Sequence, residues 1–176
     1  YSPVPDDTVA SGIGGVLATV HEITGKVVGD RRVVVLRDLA ARSGDAKTTE
    51  EACSLAATTL AAHAKDIPFV LLYLIEPDRK TARLAASRGV MTGSLAGPAT
   101  ISLEGDDVPN TPWPLAAAMR TEEMQMLTSL SPRLTEDVPP GPWSDPPHTA
   151  VIVPIPSNKA HYLAGFLVAG VSARLR

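Results

Sequence analysis

A single cysteine, Cys53, leaves this 176-residue chain without the means to form an internal disulfide. Nothing in it calls for an oxidising compartment, and a reducing, cytoplasmic setting is the expectation. No apolar run approaches the roughly 20 residues that span a bilayer, and the N-terminus shows no basic-then-apolar signal segment. The formal net charge is −3, and Lys and Arg nowhere form a block. The chain therefore lacks the basic footprint that a phosphate backbone or an anionic membrane surface requires, so neither nucleic acid nor membrane is expected as a partner.

Chemistry-bearing clusters are equally scarce. His21, His63, His148 and His161 are scattered, and none stands at ligand spacing from Cys53 or another histidine. His21-Glu22 opens like a zincin motif but has no second histidine four residues on. No metal is expected, and haem through His148 or His161 is disfavoured. Gly12, Gly14 and Gly15 sketch a phosphate loop, yet a strand pattern follows where a helix is needed. No Gly-x-Ser-x-Gly elbow occurs. A stand-alone enzyme would need titratable groups gathered in one cleft, and the sequence names no catalytic residue.

What is present is the composition of a folding domain, 44% hydrophobic and 20% charged. Its length suits one ordinary domain with a short flanking piece. Tyr1 to Thr24 reads as two strand-like stretches around Pro5-Asp6-Asp7, a hairpin with almost no core of its own. Residues 25–44 turn helical, with Val28, Val35, Leu36 and Leu39 at near-heptad spacing, the pattern by which parallel helices pair in a dimer. A second helix opens at Thr48, where Thr48 and Glu51 stand in capping-box spacing, and carries Cys53, Ala56, Ala57, Leu60 and Ala64 as a stripe of small side chains. On that stripe Cys53 reads as a buried, inert thiol.

Phe69 to Ile75 is an unbroken apolar run, as a strand covered on both faces requires. Glu76-Pro77-Asp78-Arg79-Lys80 is a polar turn, and Thr81 to Ser87 is the antiparallel return. Beyond a Gly- and Pro-rich stretch, Ala99 to Leu103 and Met124 to Leu130 read as short strands and Pro114 to Arg120 as a short helix. Val138 to Pro147 is a proline-rich loop. His148 to Ile155 and Tyr162 to Val171 form a last hairpin around Pro156-Ser157-Asn158-Lys159. The order predicts an α+β fold, an antiparallel β-sheet with helices packed on one face. Trp113, Trp143 and the methionines Met119, Met124 and Met126 fall in the irregular middle, and Trp113, Met124, Met126 and Trp143 are the candidate walls of a small-molecule pocket.

Five stretches together resemble the GAF family of sensing domains: Phe69-Val-Leu-Leu-Tyr-Leu, Trp113-Pro-Leu, Gly141-Pro-Trp, Ala150-Val-Ile-Val-Pro-Ile-Pro and Ala164-Gly-Phe-Leu-Val-Ala-Gly. The likeness runs from about Leu36 to Val171, in the manner of the subgroup attached to sensor histidine kinases. Tyr1-Ser-Pro-Val and Gly15-Val-Leu-Ala-Thr-Val-His-Glu-Ile-Thr, followed by a helix with Arg31-Arg32, resemble the end of a PAS domain. The resemblance implies three parts: residues 1–24 as the C-terminal hairpin of a PAS-like domain, 25–44 as a linker helix, and 45–176 as a GAF-like domain whose closing helix is missing. It further implies a non-catalytic sensory or relay module of a two-component histidine kinase, homodimeric through the linker helix, with PAS and kinase domains as neighbours. A ligandless scaffold that only spaces and dimerises the array is the alternative. Bilin is disfavoured because Cys53 sits at the wrong place for attachment. The branch that reduces methionine sulfoxide needs several cysteines, and one cannot be both nucleophile and resolving thiol. No run typical of cyclic-nucleotide-binding members is found.

Overall fold

The computed structural model describes residues 2–5, 13–17, 34, 37–39, 41, 46–105, 111–130, 134, 138, 145–157 and 162–172. The chain divides into two compact units, Tyr1–Val33 and Val34–Arg176. In the first, β1 (Ser2–Pro5) pairs antiparallel with β2 (Ile13–Leu17), Ser2 opposite Leu17, with a register shift between Val4 and Pro5. The expected hairpin is there, although β2 starts ahead of the alternating stretch that announced it. Val28, Val35 and Leu36 of the expected linker helix lie outside the described residues.

In the second unit, residues 37–39 are helical and Leu39 packs against the apolar side of α1 (Thr49–Ala61). The predicted capping box opens α1. Glu51 N donates to Thr48 Oγ1 at 3.1 Å, and Thr48 N donates back to Glu51 Oε2 at 3.3 Å. Two otherwise orphaned amides are satisfied by this exchange, which fixes where the helix starts. Thr48→Ala is expected to cost about 1 kcal/mol of stability, read from urea unfolding.

Six strands follow: β3 (Val70–Ile75), β4 (Thr81–Arg88), β5 (Thr100–Ser102), β6 (Gln125–Leu127), β7 (Thr149–Pro156) and β8 (Leu163–Val171). Between β5 and β6 lies the short helix α2 (Leu115–Thr121), entered from Pro114 and ended at Glu122 in a left-handed conformation, φ 55°. Every strand pairing is antiparallel, and the sheet order is β5-β4-β3-β8-β7-β6. The two apolar hairpins, β3–β4 and β7–β8, are joined through the β3–β8 ladder, so the strands richest in β-branched and large apolar residues occupy the middle.

Alternation along β3 sorts its side chains between two cores. Val70 and Leu72 meet Cys53, Ala57 and Leu60 of α1 on one face. Leu71 and Tyr73 face the opposite side, with Trp113, Leu115, Ala118, Ile152, Phe166 and Val168. The expected α+β architecture with its antiparallel sheet is observed. The helices nevertheless divide: α1 covers one face, and α2 lies on the other with Trp113 and the buried loop residues Val90 and Ala96. The reason is visible in β3, whose four buried residues, Val70 to Tyr73, leave apolar surface on both faces to be covered.

Candidate functional site

The face beneath α2 is where the candidate pocket residues were expected to gather. Trp113 reaches it by way of the turn at Pro112 and Pro114 that feeds α2. Its ring is fully buried, lies 5.7 Å from the ring of Phe69 at a tilt of 38°, and its indole Nε1 donates to Ala96 O at 2.7 Å. A buried indole N–H needs such a partner, and here it ties α2 to the loop before β5. Phe69 in turn lies flat on β8: a Cβ at Gly170 would stand 2.4 Å from its ring. Phe166, Leu115 and Ile152 complete this layer.

Met124 and Met126 are elsewhere. Each is 58% exposed, on and just before the edge strand β6, where alternation turns both side chains out to solvent. Trp113 and the two methionines are therefore not brought together as walls of one cavity, and Trp143 lies outside the described residues. Met124 and Met126 are two apart along the chain, so on a short strand both fall on the same, exposed side.

Tyr73 is the titratable group of this buried layer. Its hydroxyl donates to Pro98 O at 2.9 Å, and burial holds it well above the usual phenol range. The unfolded chain releases this proton above pH ~10, whereas the folded chain keeps it. Stability from this group is thus whole below pH ~10 and falls as pH climbs toward the folded value, by up to about 1.4 kcal/mol per unit. Urea unfolding at pH ~8.5 and pH ~11 should show that loss in the parent chain and a shallower one in Tyr73→Phe.

On the opposite face Cys53 is buried, and its thiol is pushed up first by desolvation and then by the Glu50 carboxylate, against the opposing pull of Arg83. A thiol so held is mostly protonated at neutral pH and a poor nucleophile. Glu50 belongs instead to a surface bridge: Arg83 of β4 donates to Glu76 Oε1 at 2.7 Å and to Glu50 Oε1 at 3.2 Å, linking the first turn of α1 to the β3–β4 hairpin. Leu39, expected at a dimer seam, is half-buried against the α1 cluster of its own unit.

Two residues that no spacing argument joined meet at the hairpin tips. The Arg79 guanidinium lies over the ring of Tyr162, 5.1 Å from its centroid. Arg79 stands in the left-handed region, φ 58°, a conformation that favours glycine. Both residues line a groove of about 510 Å³ with Ile75, Glu76, Pro77, Leu163 and Ala164. Only the left-handed turn position could have been suspected in advance, because the contact spans more than 80 residues of chain.

Among the described residues, no group of three or more His, Cys, Asp or Glu side chains is placed to hold a metal ion. None of their helices is long and apolar enough to cross a membrane.

No family model and no curated protein matches the chain. Its fold does match solved structures. The GAF domain of a phosphoenolpyruvate-protein phosphotransferase from Acinetobacter aligns at TM-score 0.55 and 15% identity, over 80% of this chain and 77% of that one. Free methionine-R-sulfoxide reductase from Neisseria meningitidis, in complex with its substrate, aligns at TM-score 0.55 and 15% identity, over 90% and 81%. A segment of a methyl-accepting chemotaxis protein aligns at TM-score 0.52 and 13% identity, over 75% and 77%. The fold is GAF-like.

Proposed function

We propose that this chain is a non-catalytic sensory or relay domain of a longer signalling protein, an input module rather than an enzyme. The supporting observation is the pairing of a GAF-like sheet with a buried α2 face whose polar groups are few. That cluster is apolar apart from the Tyr73 hydroxyl and the Trp113 indole N–H, and both of those donate to backbone carbonyls. The charged groups Arg83 with Glu50 and Glu76, and Lys80 with Glu104, pair on the exposed surface. Such a layout suits binding or packing, and among the described residues of this cluster no nucleophile and base stand within reach of each other.

In the finer form of this proposal the parent is a two-component sensor histidine kinase, with a PAS domain ahead and paired linker helices passing the signal. Leu39 packs on its own unit, so Val28, Val35 and Leu36 are the residues assigned to the partner helix. A small organic ligand would rest on the α2 face with Trp113 as its inner wall. The test is a thermal-shift screen against a metabolite panel, because a ligand that binds only the native state raises its melting temperature. A compound that raises Tm and shifts the amides of residues 113–121 supports sensing. The kinase assignment is tested separately by the coding sequence downstream, where a kinase core supports it and any other output domain overturns it.

A second reading is favoured by the packing itself. Trp113, Phe69, Phe166 and Tyr73 are all fully buried on that face, as in a core built to be solid. Under this reading the domain is a ligandless spacer that dimerises the array. A flat screen combined with a concentration-dependent dimer in sedimentation would select it.

A further inference from the structure

The groove at the end of the sheet has the features of a second binding site, which Ile75 and Leu163 join to the margin of the α2-face cluster. Strands β3 and β8 are paired up to Leu74 and Gly165, and the groove lies beyond that register. Ile75, Pro77, Leu163 and Ala164 give it an apolar lining, alongside Arg79 and the 46% exposed Tyr162. At about 510 Å³ the space is within the range that small-molecule sites occupy.

Charge decides what it would take. Glu76, the carboxylate lining the groove, is engaged by Arg83 at 2.7 Å, so its charge is balanced from outside. The next cation along the turn has an oxygen partner: Lys80 has Glu104 at 2.8 Å. Arg79 is held differently. Among the described residues its guanidinium has the Tyr162 ring, at 5.1 Å, and no oxygen acceptor. The contact with the ring face leaves the guanidinium N–H groups available, and a guanidinium can bind a carboxylate through two parallel hydrogen bonds.

The backbone reinforces the point. Arg79 occupies the left-handed position of the turn at φ 58°, where Arg79 N donates to Glu76 O at 2.8 Å and Asp78 Oδ1 accepts from Lys80 N at 2.9 Å. Glycine would adopt that conformation without strain, so an arginine stands here against local backbone preference.

We propose that this groove binds a small organic monocarboxylate with an apolar body, its carboxylate on the Arg79 fork and its hydrocarbon against Tyr162, Pro77, Leu163 and Ala164. Benzoate is a suitable probe, with benzamide as its neutral counterpart and inorganic phosphate as an anion lacking the apolar body. The measurement is a titration of the whole chain followed by amide chemical shifts, carried to about 20 mM because so small a ligand on an open groove binds weakly.

Benzoate should shift the amides of residues 75–79 and 162–164 saturably, and benzamide and phosphate should each bind at least about tenfold more weakly. Arg79→Gly should abolish the benzoate response while leaving Tm unchanged or raised, since glycine suits the turn. Equal binding of benzoate and benzamide, equal binding of phosphate, an unaltered response in Arg79→Gly, or no saturable shift would each overturn the proposal. Benzoate shifts confined to the α2 face would overturn it too, and would count instead for a ligand in the sheet core. The groove stands independently of that reading: a flat metabolite screen on the α2 face leaves this result unaffected.

Discussion

Trp113→Ala is expected to lower the free energy of unfolding by about 4 kcal/mol, the largest single effect of any side-chain truncation on the α2 face. Three losses add. The indole is fully buried, so its removal leaves a cavity that the surrounding layer of Phe69, Leu115 and Phe166 can only partly close. The ring contact with Phe69 at 5.7 Å disappears, and so does the bond from Nε1 to Ala96 O, which holds the loop before β5 against α2. Against a typical stability of about 5–15 kcal/mol, a loss of this size leaves a domain folded with little to spare. Urea unfolding should show an earlier midpoint at an unchanged slope, and Tm should fall by roughly 10–15 °C. Trp113→Phe keeps much of the volume and loses the donor, so it should cost distinctly less. A loss below about 1 kcal/mol in Trp113→Ala would mean that the indole is a detachable lid over a ligand space and not part of the core.

That outcome bears on what the sequence could and could not disclose. The sheet was legible because its strands carry strong, local signals. Val70 to Tyr73 are buried without a break, and the turn at Pro77-Asp78 declares itself by residue type. The start of α1 was legible for the same reason, since a capping box is written in two residues three apart. Which face a short element serves was not. α2 has seven residues, too few for periodicity to say where it packs, and it lies opposite α1 because β3 demands cover on both sides. Met124 and Met126 read as pocket walls by chemistry, yet alternation on a three-residue edge strand turns them to solvent. Arg79 and Tyr162 meet only because β3 and β8 pair, a relation set by the whole fold and by no local spacing.

The same β3–β8 pairing supports the second large prediction: Gly165→Ala should cost about 3 kcal/mol or more, although it adds one methyl to a strand. Gly165 pairs with Leu74 in the central ladder, and a Cβ built on it would stand 2.1 Å from Tyr73 O, 3.2 Å from Tyr73 C and 3.3 Å from Leu74 Cα. All three are backbone atoms. No rotamer change relieves such a clash, so β8 must move away from β3 at the point where the two hairpins join. The cost has nothing to do with left-handed backbone, and a control separates the two effects. Gly93, at φ +87° with nothing within 4 Å of its Cβ, should lose only about 1 kcal/mol on change to alanine, from conformation alone. Because Ala164 and Ile75 line the groove immediately beyond Gly165 and Leu74, parting these strands should also widen the groove and separate Arg79 from Tyr162. Gly165→Ala is therefore expected to weaken benzoate binding where Gly93→Ala does not, under conditions in which both chains remain folded. Equal stability losses in the two variants would show that the central strands yield freely, and the close β3–β8 approach would then not be what sets the shape of the groove.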